Sequence, residues 1–137
     1  MKKVIVIMMI FISSLFAQLQ NIEISQEFLK KGIKIIDVRT PSEWKETGIV
    51  KGSYTLMFFN EQGGYDTDTF IRELNKIVKK DEQFALICRT GSRTSMIAQF
   101  LSKELGYDVI NLKSGIMKLL RDGYQTTPYK VSPLFIK

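Results

Sequence analysis

Three short apolar runs, at 33–38, 84–88 and 109–112, the first with β-branched residues, each lead into a segment of helical character, and this alternation constrains the fold more than any other feature. Runs of this length without apolar–polar alternation suit strands covered on both faces, and strands separated by helices pair in parallel. After the first run, Thr40, Pro41 and Glu43 spell a helix start, with a hydroxyl at the N-cap, proline at the first helical position and a carboxylate placed to complete a capping box. Phe70, Ile71, Leu74, Ile77 and Val78 recur at helical spacing and end in Lys79 and Lys80. Met96, Ile97, Phe100, Leu101 and Leu105 are read as one buried helical face stopped by Gly106, and residues 114–121 as a last helix before Gly123. Weaker strands are expected at 22–25 and 54–58, a short helix at 26–31 stopped by Gly32, and a loop at 60–68. The expected architecture is an α/β domain with a mainly parallel central sheet and helices on both faces.

A chain of 137 residues has room for one ordinary domain. Residues 1–17 read as a secretory signal: Lys2 and Lys3 form a basic start, residues 4–12 an apolar stretch, and residues 13–17 an approach to cleavage after Ala17. The apolar stretch is well short of the ~20 residues that span a bilayer, so export to a bacterial periplasm is expected, without stable membrane insertion once the segment is cleaved. The domain then occupies 18–137, with its core at about 22–124 and a tail at 125–137 that has no clear period. The formal net charge is +6 and falls to about +4 without Lys2 and Lys3; the basic residues are interleaved with acidic ones rather than gathered in a stripe, which argues against a nucleic-acid partner. No histidine is present, which removes histidine acid–base catalysis, serine-type triads and most zinc sites. Neither a metal nor a cofactor is called for.

The single cysteine, Cys88, has no partner in its own chain, so it is either an inert buried thiol or a free reactive one. Its surroundings favour the second. Cys88, Arg89, Thr90, Gly91, Ser92, Arg93 and Thr94 lie between an apolar strand and an amphipathic helix, and sites in parallel sheets form outside the carboxyl ends of the strands. The first amides of a helix lack internal partners, so a loop curling through Gly91 can surround an anionic atom with N–H donors. Such a setting favours thiolate, and Arg93 adds a fixed positive charge.

The run Cys88-Arg89-Thr90-Gly91-Ser92-Arg93-Thr94 resembles the active-site loop of the rhodanese-like sulfurtransferases. Asp37-Val38-Arg39-Thr40 with Glu43 and Trp44 resembles the family's Asp-Val-Arg segment, and Asn111-Leu112 with Gly115-Ile116 resembles the motif after its last core strand. Ser114 stands where the family often has glycine, and Leu119 where it often has tryptophan. The resemblance implies a double displacement: Cys88 takes sulfur from a small anionic donor such as thiosulfate or polysulfide, and a thiol or cyanide acceptor removes it. It makes Cys88 the sulfur carrier, Arg89 to Arg93 the anion pocket, and Arg93 the residue that orients or neutralises the donor. Thr94, Asp37 and Arg39 are supporting residues, the last two expected to hold the neighbouring turn as an ion pair or to face the substrate. Phe58, Phe59 and Tyr65 are read as core aromatics or as the wall of an acceptor site. Two rivals remain: a non-catalytic persulfide carrier serving a partner protein, and a cysteine phosphatase. Six residues from Cys88 to Arg93 match the sulfurtransferase loop, one fewer than in the phosphatases of similar pattern, and the loop holds no aspartic acid.

Overall fold

The computed structural model describes residues 18–131. The expected signal at 1–17 and the end of the tail, 132–137, lie outside the described residues. Five strands, β1 (Leu19–Glu23), β2 (Ile35–Asp37), β3 (Tyr54–Thr55), β4 (Phe84–Ile87) and β5 (Val109–Lys113), form one sheet in the order β1-β5-β4-β2-β3, and every pairing is parallel. Helices α1 (Gln26–Leu29), α2 (Pro41–Thr47), α3 (Thr67–Ile77), α4 (Ser92–Gln99) and α5 (Gly115–Arg121) connect them. The parallel α/β architecture matches the sequence expectation.

The twofold alternation of side chains along a strand divides the core into two layers. Phe84, Leu86 and Cys88 join Ile36, Phe70, Leu74, Ile97 and Leu101 on the side of α3 and α4. Ala85 and Ile87 join Ile24, Phe28, Ile110, Leu112, Ile116 and Leu119 on the side of α1 and α5. Both faces are therefore covered, which is why β4 is apolar at every position.

Several boundaries differ from expectation. Strand β1 starts at Leu19 rather than residue 22, because its register runs from Leu19 opposite Val109 to Glu23 opposite Lys113. Strand β3 is only Tyr54–Thr55; beyond it the chain stays beside β2 through single bonds from the Leu56 amide to the Asp37 carbonyl and from the Phe58 amide to the Val38 carbonyl. Helix α4 ends at Gln99 and gives way to a π-helical turn at Phe100–Glu104. Met96 is 59% exposed, correcting its expected place in the core: Ile97 and Leu101 point inward, and Met96 lies a full residue step around the helix from Ile97. Ser114 is not helical but adopts φ 67°, the left-handed conformation that glycine takes most easily, just before α5. Within the tail, Thr127 makes a two-way backbone bridge with Ile49.

Candidate active site

Strand β4 delivers Cys88 to the carboxyl edge of the sheet, and the chain turns through Gly91 (φ 99°) into α4. Cys88 is 1% exposed. Its Sγ accepts a hydrogen bond from the Gly91 amide at 3.2 Å and lies 3.5 Å from the Thr94 hydroxyl, which also donates to the Gly91 carbonyl at 3.1 Å. Among the described residues, the amides of Thr90, Ser92 and Arg93 donate to no backbone acceptor, as expected for the loop and first turn that open a helix. Of the loop amides, that of Gly91 is the one bonded to Sγ, and those of Thr90, Ser92 and Arg93 are left without a backbone partner. Ser92 is the first helical residue rather than the cap, which is Gly91.

The back of the loop is clamped by α5. The Ile116 amide donates to the Cys88 carbonyl at 2.9 Å and the Met117 amide to the Arg89 carbonyl at 3.2 Å, so orphan donors of one helix fix the loop that opens another. This approach requires glycine at 115, where φ is 60° and an added Cβ would stand 2.3 Å from the Arg89 carbonyl oxygen. A Cβ at Gly91 would stand 2.9 Å from the Ser114 amide nitrogen.

Arg93 lies where the sequence places it, at the head of α4, but its guanidinium is already engaged. Its two terminal nitrogens grip the Glu43 carboxylate at 2.8 and 2.7 Å, a bidentate pair across the site, with the side chains 25% and 16% exposed. Burial opposes ionisation of Glu43, yet the hydrogen bonds from Arg93 and from the Thr40 amide outweigh it and hold the carboxyl at about 2. The same contact to Glu43 holds the Arg93 guanidinium above its ordinary value against the opposing effect of burial. Glu43 also completes the capping box of α2, accepting from the Thr40 amide at 3.1 Å. Capping was all that the local pattern revealed of Glu43; its ion pair spans fifty residues of sequence.

Asp37 and Arg39 are completely enclosed. Arg39 donates to Asp37 at 2.8 to 3.2 Å through Nε and Nη2, and its remaining valences go to the Thr47 hydroxyl at 2.8 Å and the Gly48 carbonyl at 3.0 Å. With its fork filled and no exposed surface, Arg39 anchors the end of α2 rather than facing a substrate, which corrects the second of the two expectations for this pair. Arg89, half-exposed, stands 3.5 Å from Glu46.

Two cavities border α4. Thr90, Gly91, Ser95, Asn111, Lys113 and Ser114 line a polar one of about 490 Å³. Phe58, Phe59, Tyr65, Met96, Ile97 and Phe100 line an apolar one of about 430 Å³ along α4. Phe58 is a core residue, whereas Tyr65 is 65% exposed and stacks on it with ring centres 5.7 Å apart. Another cavity, of about 670 Å³, lies near Gly32 and Gly52. None of the residues of the cysteine loop line it. Among the described residues no cluster of histidine, cysteine or carboxylate side chains could hold a metal ion, and no helix is long and apolar enough to cross a membrane.

A parallel α/β sheet that carries a lone cysteine into a glycine-containing loop at a helix start defines a class of cysteine-loop domains. The sequence pattern described as Rhodanese-like domain matches residues 21–122, and the chain belongs to that family. The Arabidopsis thaliana protein HIGH ARSENIC CONTENT 1, mitochondrial, is 29% identical over 99 residues, or 71% of this chain; the chain spans 58% of that relative's length. Among solved structures, the protein Rv0390 of M. tuberculosis superposes with a TM-score of 0.58 at 19% identity, covering 70% of this chain and 78% of that one. A rhodanese-related protein of Thermoplasma volcanium does so at 0.55 with 24% identity, covering 75% and 91%. A Rhodanese-like Domain Protein of Staphylococcus aureus gives 0.53 and 23%, covering 72% and 88%. At these identities the structural likenesses establish the fold.

Proposed function

We propose that this protein is a sulfurtransferase that carries sulfane sulfur as a persulfide on Cys88, moving it from a small anionic donor such as thiosulfate or polysulfide to a thiol or cyanide acceptor. The observation that carries the reading is the Gly91 amide directed at Cys88 Sγ at 3.2 Å, at the mouth of a loop whose neighbouring amides are open. In the first half-reaction Sγ attacks the outer sulfur of the donor, the bond between that sulfur and its former carrier breaks, and the carrier leaves with the electron pair. The outer sulfur is then bonded to Sγ, and the open amides are donors for its negative charge. In the second half-reaction the acceptor attacks the same sulfur and Cys88 leaves as thiolate. No acid is required from a loop that contains none.

The test is intact mass after mixing the protein with thiosulfate, polysulfide or an alkyl hydropersulfide and then with cyanide, beside a Cys88→Ser control. A gain of one sulfur atom that cyanide removes, absent in the control, is expected; no gain with thiosulfate, polysulfide or an alkyl hydropersulfide would overturn the reading. Residues 1–17 support export as a cleaved signal to a periplasm, which the N-terminal sequence of the protein recovered from that compartment would check.

A further inference from the structure

We propose that Glu43 is a positioning residue that neutralises Arg93 and thereby sets the donor class of the Cys88 site, disfavouring dianions such as thiosulfate and admitting hydropersulfides, R–S–SH. The inference rests on the sulfur-transfer reading above and shifts the preferred donor from the dianions named there to a hydropersulfide. The charges at the loop are what carry it. The arginines meet carboxylates unequally: Arg39 is enclosed with Asp37 and Arg93 is gripped by Glu43 at 2.7 Å, whereas Arg89 only borders Glu46 at 3.5 Å at the solvent edge. Arg39 is spent wholly on structure, and Arg93 gives both ends of its fork to Glu43. Lys113, a further cation beside the loop, is exposed at the end of β5 and lines the polar cavity with Thr90 and Ser114. Apart from Lys113 and the solvent-edge Arg89, a dianionic donor approaching Cys88 therefore meets an Arg93 whose charge is already answered by Glu43, together with backbone amides and the modest field at the head of an eight-residue helix.

With a hydropersulfide the charge demand falls: its S–H form brings no charge to the thiolate, and its deprotonated form brings one where thiosulfate brings two. Sγ of the thiolate forms a bond to the outer sulfur of R–S–SH, the R–S to S bond breaks, and the thiolate R–S⁻ leaves with the electron pair while the outer sulfur keeps its proton on Cys88. One negative charge enters the step and one leaves. With thiosulfate the site must hold three negative charges at once, and sulfite departs with two. Arg93, held in place, can still serve as a fixed donor edge, but its charge is cancelled by its partner at 2.7 Å.

Glu43→Gln separates this role from a merely structural one, because glutamine keeps an oxygen to accept from the Thr40 amide and satisfies the capping box. The rate at which Cys88 gains one sulfur is measured by mass with thiosulfate and with an alkyl hydropersulfide. The wild type is expected to load roughly tenfold or more faster from the hydropersulfide. The variant is expected to load from thiosulfate roughly tenfold faster than the wild type, with a steeper fall in added salt, and from the hydropersulfide within about twofold of it. Equal preference in the wild type, measured without any variant, would overturn the proposal, as would a variant whose two rates move together. A wild type that takes sulfur from neither of these donors nor from polysulfide would instead remove the sulfur-transfer reading itself, and this proposal with it.

Discussion

Gly115→Ala should cost far more than a glycine substitution in a helix ordinarily does, because the residue is the point at which α5 touches the cysteine loop. At φ 60° a side chain pays about 1–2 kcal/mol for the left-handed backbone. The methyl would also stand 2.3 Å from the Arg89 carbonyl oxygen, 2.4 Å from its carbon and 2.5 Å from the Cys88 oxygen, all backbone atoms that no rotamer change can remove. Relief requires the loop and α5 to part by about 1 Å, which stretches the bonds from Ile116 to Cys88 and from Met117 to Arg89, each worth roughly 1 kcal/mol. The expected loss is about 3–5 kcal/mol, and the melting midpoint should fall by more than ~10 °C. Urea unfolding at equal m-value measures it, with Gly106→Ala as the control: there φ is also positive, at 76°, but nothing lies within 4 Å of the added atom, so only about 1 kcal/mol should be lost. If the two variants lose the same amount, the contact between α5 and the loop is not what demands glycine at 115.

Asp37→Asn should destabilise the fold by roughly 3–5 kcal/mol in urea unfolding, because it leaves the enclosed Arg39 charge without its counter-ion. Glu43 contributes a pH dependence of definite sign. Its carboxyl is held at about 2 in the fold against an ordinary 4.5, so its stabilisation is complete above about pH 4.5 and is lost as the pH falls towards 2. Solvent reaches the pair, so the amount is of order 1 kcal/mol, and Glu43→Gln should flatten the acid limb of the unfolding midpoint between those values. Thr94→Val removes the hydroxyl that bonds the Gly91 carbonyl and borders Sγ; it should cost about 1 kcal/mol and slow alkylation of Cys88 several-fold, read by mass after timed exposure to iodoacetamide.

The sequence discloses those parts of the fold whose signals are local. Residues 84–87 read as a buried strand because every position is apolar, and α2 begins where Thr40, Pro41 and Glu43 say it does, since a capping box is complete within four residues. Cys88 and its glycine turn are local in the same sense. The edges of the sheet are not: β1 extends back to Leu19 only because β5 offers Val109 as its partner, ninety residues away. Met96 reads as apolar core because a helical count tolerates one residue on either side of a face, while only packing decides that Ile97 and not Met96 is covered. The ion pairs of Arg89 and Arg93 escape notice for the same reason, since the carboxylates that meet them belong to a helix far away in sequence.

That distance alters what the arginines mean. Counted along the chain, Arg89 and Arg93 beside a cysteine look like an anion pocket with two positive charges. In the folded domain, partly burying a guanidinium without a counter-ion would be costly, and α2 supplies one carboxylate to each. Glu43 is held in turn by the Thr40 amide, and Arg39 ties the other end of α2 through Thr47 and Gly48, so the helix is fixed at both ends before it meets the loop. The side-chain charges therefore serve mainly to hold α2 against α4. The attraction left for an incoming anion comes from backbone donors, the Gly91 amide and its open neighbours, which depend on loop shape more than on any one side chain. A substitution that changes the loop's curvature should accordingly disturb Cys88 more than one that trims Arg89, whose partner is 3.5 Å away at the solvent edge.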